Sequence, residues 1–160
     1  MLFRSVAVKA TPAKQLAAKH VSPDAAYRLE QQVGYILRQA SQRHAAIFAE
    51  RIPEQLTTTQ FSTLVRLQEI GPCSQNRLGR LTSMDGATIK GVTDRLIQRG
   101  FVEAAVDPED GRRRVLALTA AGLDVVARAI PAAIEITEKT LEPLSSEERE
   151  QLLKLLKKMR

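Results

Sequence analysis

Apolar residues recur along most of the chain at three- and four-residue steps, the spacing of an α-helix with one buried face. From Asp24 to about Ile52 the recurring set is Leu29, Val33, Ile36, Leu37, Ala40, Ile47 and Phe48, and Pro53 ends it. A second helix is predicted after a cap at Thr57, Thr58 or Thr59, with Phe61, Leu64, Val65 and Leu67 inside and Gly71-Pro72 as its stop. Ser74 is placed to cap a short third helix holding Leu78 and Leu81. Thr82-Ser83 is placed to cap a fourth, which runs to Gly100 on the stripe Ile89, Val92 and Leu96. Thr119 begins a fifth with the stripe Leu123, Val126, Ile130, Ile134, Thr137 and Leu141, and Pro131 is expected to kink it. Ser145-Ser-Glu-Glu148 reads as a capping box for a sixth helix carrying Leu152, Leu155, Leu156 and Met159. Residues 1–22 show no sustained stripe and read as a flexible tail.

After Gly100 the period shortens to that of a strand. Phe101–Val106 and Arg112–Thr119 flank the turn Asp107-Pro-Glu-Asp-Gly111, a β-hairpin with a loop longer than two residues. Helix, helix, short turn, helix, hairpin is the order of a winged helix-turn-helix. The predicted fold is therefore mainly α, a winged helix-turn-helix with a two-stranded β wing and dimerisation helices at both ends. The predicted organisation is a basic tail over 1–22, an N-terminal dimerisation and ligand helix over 23–53, the winged domain over 54–119, and C-terminal dimerisation helices over 120–160. The apolar stripes at the two ends exceed what one small winged domain can bury, which predicts a homodimer.

Composition narrows the partners. The 160 residues are 44% hydrophobic, 4% aromatic and 26% charged, enough for one domain with a core that needs no disulfide. No apolar run approaches the roughly 18 residues of a membrane span, so no membrane partner is expected. A lone Cys73 excludes an intramolecular disulfide and fits a reducing cytoplasm. The formal charge of +6 is unevenly placed: residues 1–23 carry four basic residues and no acid, and residues 74–114 carry eight basic against six acidic, while the remaining stretches balance. A basic centre between neutral flanks points to a polyanion, most simply double-stranded DNA. Two histidines, His20 and His44, with one cysteine are too few for a zinc cage, and no phosphate-cradling loop, H-E-x-x-H or G-x-S-x-G string occurs. No catalytic set, metal or cofactor is expected.

A helix fits the major groove and presents its N-terminal side chains to base edges. In the fourth helix the side away from the stripe shows Asp85, Thr88, Gly91 and Arg95, with Lys90 and Asp94 flanking. Gly91 costs about 1 kcal/mol against Ala in a helix interior. Either close approach to DNA or tight packing on a neighbouring helix accounts for it. Arg112-Arg113-Arg114 follows the hairpin turn at once, and alternation sends Arg112 and Arg114 to one side and Arg113 to the other. One arginine is expected to brace the turn through Asp107 or Asp110 and the others to reach phosphate or the minor groove. The expected DNA-contacting set is Ser74, Gln75, Arg77, Asp85, Thr88, Lys90, Arg95, Arg112 and Arg113.

Five strings together resemble the MarR (multiple antibiotic resistance regulator) family: Leu78-Gly-Arg-Leu-Thr-Ser-Met-Asp85, Ala87-Thr88-Ile89, Asp94-Arg95-Leu96-Ile-Gln-Arg-Gly100-Phe-Val102, Asp107-Pro-Glu-Asp-Gly-Arg-Arg113 and Leu118-Thr119-Ala-Ala-Gly122. The resemblance covers about residues 25–158. It implies a bacterial, cytoplasmic, homodimeric repressor on a pseudo-palindromic operator, associated with the nucleoid when bound. It also implies release by a small aromatic acid. One departure is Ala104, where members often carry an arginine in the first wing strand. Leu56-Thr-Thr-Thr-Gln-Phe61, Gly71-Pro-Cys-Ser-Gln-Asn76 and Met84-Asp-Gly-Ala-Thr-Ile-Lys-Gly91 resemble the members that control aromatic-acid and nicotinate catabolism, whose implied effector is a hydroxylated nicotinic acid such as 6-hydroxynicotinic acid. The resemblance assigns a carboxylate to Arg38 and a ring substituent to His44, with Tyr35 and Phe61 completing the ligand set. Six residues are about 600° of helix, so Arg38 and His44 point about 120° apart. They share a pocket only if the chain bends or a partner subunit supplies one of them. Two alternatives remain: a redox sensor acting through Cys73, and a protein-interaction module on a winged-helix scaffold.

Overall fold

The computed structural model describes residues 27–106 and 114–159. The basic tail, His20, the turn Asp107–Gly111, Arg112, Arg113 and the side chain of Arg114 lie outside the described residues. The chain divides into two units, residues 1–38 and 39–160.

In the first unit a 3-10 turn, Leu29–Gln31, precedes helix α1 (Val33–Arg51). Gln32 between them is extended, with its side-chain amide donating to the Arg28 carbonyl at 3.1 Å. The helix expected from Asp24 is thus broken at Gln32 and begins at Val33. Leu29, Val33, Ile36 and Leu37 of the predicted stripe are exposed, Val33 by 63%. The stripe is real, but it faces outward in a single chain.

The second unit holds the rest of α1, a 3-10 turn Pro53–Gln55, α2 (Thr58–Ile70), β1 (Cys73–Ser74), α3 (Gln75–Leu81), α4 (Gly86–Gln98), β2 (Val102–Val106), β3 (Arg114–Leu118), α5 (Ala120–Leu141) and α6 (Ser146–Lys158). The strands form an antiparallel sheet in the order β1-β3-β2, with Cys73 opposite Leu116 and Ala104 opposite Leu116 on the other side. The expected two-stranded wing therefore has a third strand. Two residues are too few to show alternation, and β1 exists because β3 has a free edge for Cys73 and Ser74.

Side-chain caps set the helix starts. Thr57 caps α2: its hydroxyl accepts from the Gln60 N–H at 3.2 Å while the Gln60 side-chain oxygen accepts from the Thr57 N–H at 3.0 Å. Ser74, Thr119 and Ser145 cap α3, α5 and α6 as expected, the last with Glu148 in a capping box. The expected cap of α4 at Thr82-Ser83 is not what forms. Ser83 has φ 55, in the left-handed region, whereas a cap needs extended backbone, and Asp85 takes the role instead. The far end of α4 closes at Gln98 rather than Gly100. Gly100, at φ 74, donates to Ile97 at 2.9 Å and Phe101 to Leu96 at 3.0 Å, the paired bonds of a Schellman cap that favours glycine. α5 continues through Pro131.

Leu64, Leu78, Ile89, Leu96, Val126 and Ile136 are 1% exposed or less and make the centre of the core. α2 packs against α4, α5 and β3. One expected core position is corrected. Leu81, the last residue of a seven-residue helix, is exposed. On α5 the buried residues are Gly122, Val125, Val126, Ala129 and Ile136, while Leu123, Ile130 and Ile134 are exposed. At about 100° per residue the exposed stripe is centred about a third of a turn from the buried one. α5 is apolar on two sides, and only one meets its own chain. On α6, Leu155, Leu156 and Met159 are also exposed. Among the described residues no helix is long and apolar enough to cross a membrane.

Candidate functional site

α3 and α4 are joined by a tight turn in which the Met84 N–H donates to the Gly79 carbonyl at 2.9 Å and the Thr82 hydroxyl to the Leu78 carbonyl at 2.8 Å. α4 is fixed by its buried side, Ile89, Val92, Thr93 and Leu96, with the Thr93 hydroxyl returned to the Ile89 carbonyl at 2.9 Å. That docking leaves Thr88, Lys90, Asp94 and Arg95 exposed on the other side. One Asp85 carboxylate oxygen accepts from the Thr88 N–H at 2.7 Å and the other from the Thr88 hydroxyl at 3.0 Å. These bonds hold the Asp85 carboxyl below its usual range. Thr88 has spent its hydrogen on Asp85 and offers lone pairs outward. Lys90 pairs with Asp94 at 2.5 Å, both exposed, a contact that solvent screens strongly and that phosphate can replace. Among the described residues a Cβ on Gly91 would meet only the Arg95 guanidinium, at 3.4 Å, so none of their helices explains this glycine.

At the start of α3 the Ser74 hydroxyl serves as a cap, and Gln75 is half-buried with its oxygen 3.5 Å from the Thr93 hydroxyl. Both brace the helix pair. Arg77 is exposed, and so is Arg80, a residue outside the expected set although its charge and its three-residue step from Arg77 were visible. Exposed Arg77, Arg80, Lys90 and Arg95 give α3 and α4 a cationic outer surface. Ala104 is exposed on β2, where it offers no charge.

A second feature lies between α1, α2 and α5. A cavity of about 280 Å³ is lined by His44 and Phe48 of α1, Thr58 and Phe61 of α2, and Ala133, Ile136 and Thr137 of α5. The Phe48 and Phe61 rings meet edge to face at 5.8 Å, and His44 is tilted against Phe48 at 6.0 Å. His44 Nδ1 lies 3.0 Å from the Thr140 hydroxyl. Next to His44, Arg43 donates to the Thr140 carbonyl at 2.5 Å and the Lys139 carbonyl at 3.3 Å, clamping α1 to α5. The structure thus brings together two of the expected ligand residues, His44 and Phe61. The other two meet in the first unit, where the Arg38 guanidinium lies 5.1 Å above the Tyr35 ring. Phe48, Thr58 and Thr137 were missed as cavity residues, because only the fold places α5 beside α1.

The link from α1 to α2 is strained: Glu54 and Gln55 have φ 59 and 49. Arg99, the C-cap of α4, donates to the Glu54 carbonyl at 2.6 Å, and Arg128 of α5 pairs with the Glu54 carboxylate at 2.9 Å. The segment beside the cavity is thereby tied to the end of α4. Cys73 is buried in β1 at 4% exposure, and burial pushes its thiol above the ordinary range.

Comparison with known proteins gives one consistent answer. Residues 56–113 match the family described as MarR. The HTH-type transcriptional repressor NicR of Pseudomonas putida is 42% identical over 134 residues, spanning 83% of this chain and 85% of that protein. The crystal structure of a probable transcriptional regulator from Pseudomonas aeruginosa superposes with a TM-score of 0.81 at 52% identity, covering 83% of this chain and all of that one. The structure of Bordetella bronchiseptica BpsR, described by the regulation of its DNA binding by 6-hydroxynicotinic acid, has a TM-score of 0.78 at 40% identity, covering 83% of this chain and 96% of that one. All three are described by transcriptional regulation or DNA binding.

Proposed function

The chain belongs to the MarR family of winged-helix transcriptional repressors, and on that premise we propose that it is a homodimer on a pseudo-palindromic operator, released by a small hydroxylated aromatic acid. The cavity at His44, Phe48 and Phe61 is the observation that carries the effector half of this reading. At about 280 Å³ it is smaller than the roughly 300–1,000 Å³ of drug-sized pockets and suits a single ring. Edge-to-face phenylalanines supply apolar walls for a flat aromatic, and His44 supplies a polar contact for its substituent. The regulation of BpsR's DNA binding by 6-hydroxynicotinic acid makes that acid the first effector to test.

DNA contact is assigned to the outer side of α4, with Thr88 and Arg95 at base edges and Arg77, Arg80 and Lys90 on phosphates. Arg112 and Arg113 carry the wing contact. The outward stripe of α5, Leu123, Ile130 and Ile134, with Leu155, Leu156 and Met159 of α6, supplies apolar surface for a partner subunit. The exposed Leu29, Val33, Ile36 and Leu37 do the same in the first unit. Release requires the effector to bind the DNA-incompetent spacing of the two reading helices more tightly than the competent one. The tie from Glu54 to Arg99 gives the cavity's neighbourhood a mechanical connection to α4. The redox alternative gains no support, because a buried thiol with a raised pKa forms little of the thiolate that oxidants attack.

The test is fluorescence anisotropy with labelled DNA from upstream of the protein's own gene. Tight binding that 6-hydroxynicotinic acid reverses, and nicotinamide does not, supports the reading. Binding that persists at saturating 6-hydroxynicotinic and protocatechuic acids overturns the effector half, and no binding to that DNA favours the protein-interaction module over the operator reading.

A further inference from the structure

The hydrogen bonds behind His44 fix which of its nitrogens carries the proton. Thr140 has one hydroxyl hydrogen, and at 2.7 Å it points to the Ile136 carbonyl, which can only accept. The 3.0 Å contact between that hydroxyl oxygen and His44 Nδ1 therefore needs its hydrogen from the imidazole. Nδ1–H donates and Thr140 Oγ1 accepts. Arg43 holds the carbonyls of Thr140 and Lys139, so the acceptor is anchored from the adjacent residue of α1. In a neutral ring Nε2 is then a bare lone pair, and it has no protein partner among the described residues. Thr137, also in the cavity wall, has spent its own hydrogen on the Ala133 carbonyl at 2.9 Å. His44 and Thr137 therefore accept rather than donate, while Thr58, the third polar side chain of the wall, keeps a hydroxyl hydrogen to donate.

We propose that Thr140 sets effector specificity. By holding His44 in the Nδ1–H tautomer it makes the His44 side of the cavity an acceptor, which selects an aromatic acid bringing a ring hydroxyl or a lactam N–H to that side. A ring that is bare, or that carries only acceptors, leaves Nε2 buried without a partner and is rejected. Thr140 is a positioning residue that acts through His44, and the inference rests on the effector reading above.

The experiment pairs a spectrum with a selectivity ratio. In the full chain labelled with ¹⁵N-histidine, long-range ¹H–¹⁵N correlation at pH 8, above the titration range of free imidazole, reports the tautomer. A His44→Gln spectrum assigns the signal. Calorimetry compares 6-hydroxynicotinic acid, 6-methoxynicotinic acid and nicotinic acid. The wild type is expected to show Nδ1–H and to prefer the hydroxy acid over the methoxy acid on the order of ten- to a hundredfold. Thr140→Val should shift the ring towards Nε2–H and bring that ratio near one, and Thr140→Ser should restore both. Thr140→Ala removes the hydroxyl without added bulk and serves if Thr140→Val fails to fold. An Nε2–H ring in the wild type overturns the proposal whatever the acids do. So does a preference that survives in Thr140→Val or Thr140→Ala. If none of the three acids binds, the effector reading fails and takes this inference with it, while the spectrum still reports whether the hydrogen-bond chain holds.

Discussion

Replacing Gly91 by alanine should move stability and DNA binding in opposite directions. Glycine in a helix interior costs about 0.8–1 kcal/mol relative to alanine, mostly through the freedom it retains in the unfolded chain. At Gly91 nothing offsets that gain: the added Cβ would meet only the far end of the flexible Arg95 side chain, at 3.4 Å, and the guanidinium can swing away. The variant should therefore be more stable by about 0.5–1 kcal/mol. A domain of this size converts that to a melting temperature higher by about 1–4 °C. Thermal melts followed by circular dichroism resolve such a change. Operator affinity should fall about tenfold, the cost of forcing a methyl group into a close-packed interface. A lower melting temperature would show that Gly91 packs against something and would remove α4's outer side from consideration as a free surface. Higher stability with unchanged operator affinity would show that DNA does not approach the helix there.

Leu78→Ala removes a fully buried side chain between α3 and the rest of the core, and urea denaturation should register a loss of about 2–5 kcal/mol. Ile134→Asp with Leu156→Asp places charges on the outward stripes of α5 and α6, and light scattering should then find a dimer for the wild type and a monomer with native helix content for the variant. Because burial raises the Cys73 thiol above its unfolded value, the folded chain holds that proton more tightly; the contribution is fully present below the free thiol's pKa of about 8.5 and is lost as pH rises through the higher folded value. The wild type should lose stability above pH 9 more steeply than Cys73→Ala, and a thiol reagent at pH 7 should label Cys73 only after urea is added.

The winged helix-turn-helix was legible because its determinants are local. Ser74, Thr119 and Ser145 lie where a periodic stripe begins, and a hydroxyl before a stripe is a cap. Thr82-Ser83 has the same local chemistry, yet it lost the role to Asp85 because the α3–α4 turn drives Ser83 left-handed. That is a property of how two helices dock and has no local signal. The stripe on α5 was read with the correct period and assigned to a dimer interface, but the second, buried side of the helix was not separated from it. Leu123, Ile130 and Ile134 do share a side, and the chain's own core uses the other. His44 and Phe61 entered through a family resemblance. Thr140, which decides what His44 can bind, is 96 residues away and becomes its neighbour only when α1 packs on α5.

Calorimetric titration of 6-hydroxynicotinic acid into the free protein and into its operator complex tests the central claim most directly. If the acid releases the repressor from DNA, linkage requires that operator weaken acid binding by the same factor by which acid weakens operator binding. A repressor released by its effector should show that factor as roughly 5- to 150-fold, equal in the two directions. Equal acid affinity with and without operator would mean that the site and the DNA surface are uncoupled, and would contradict the account even if both ligands bind.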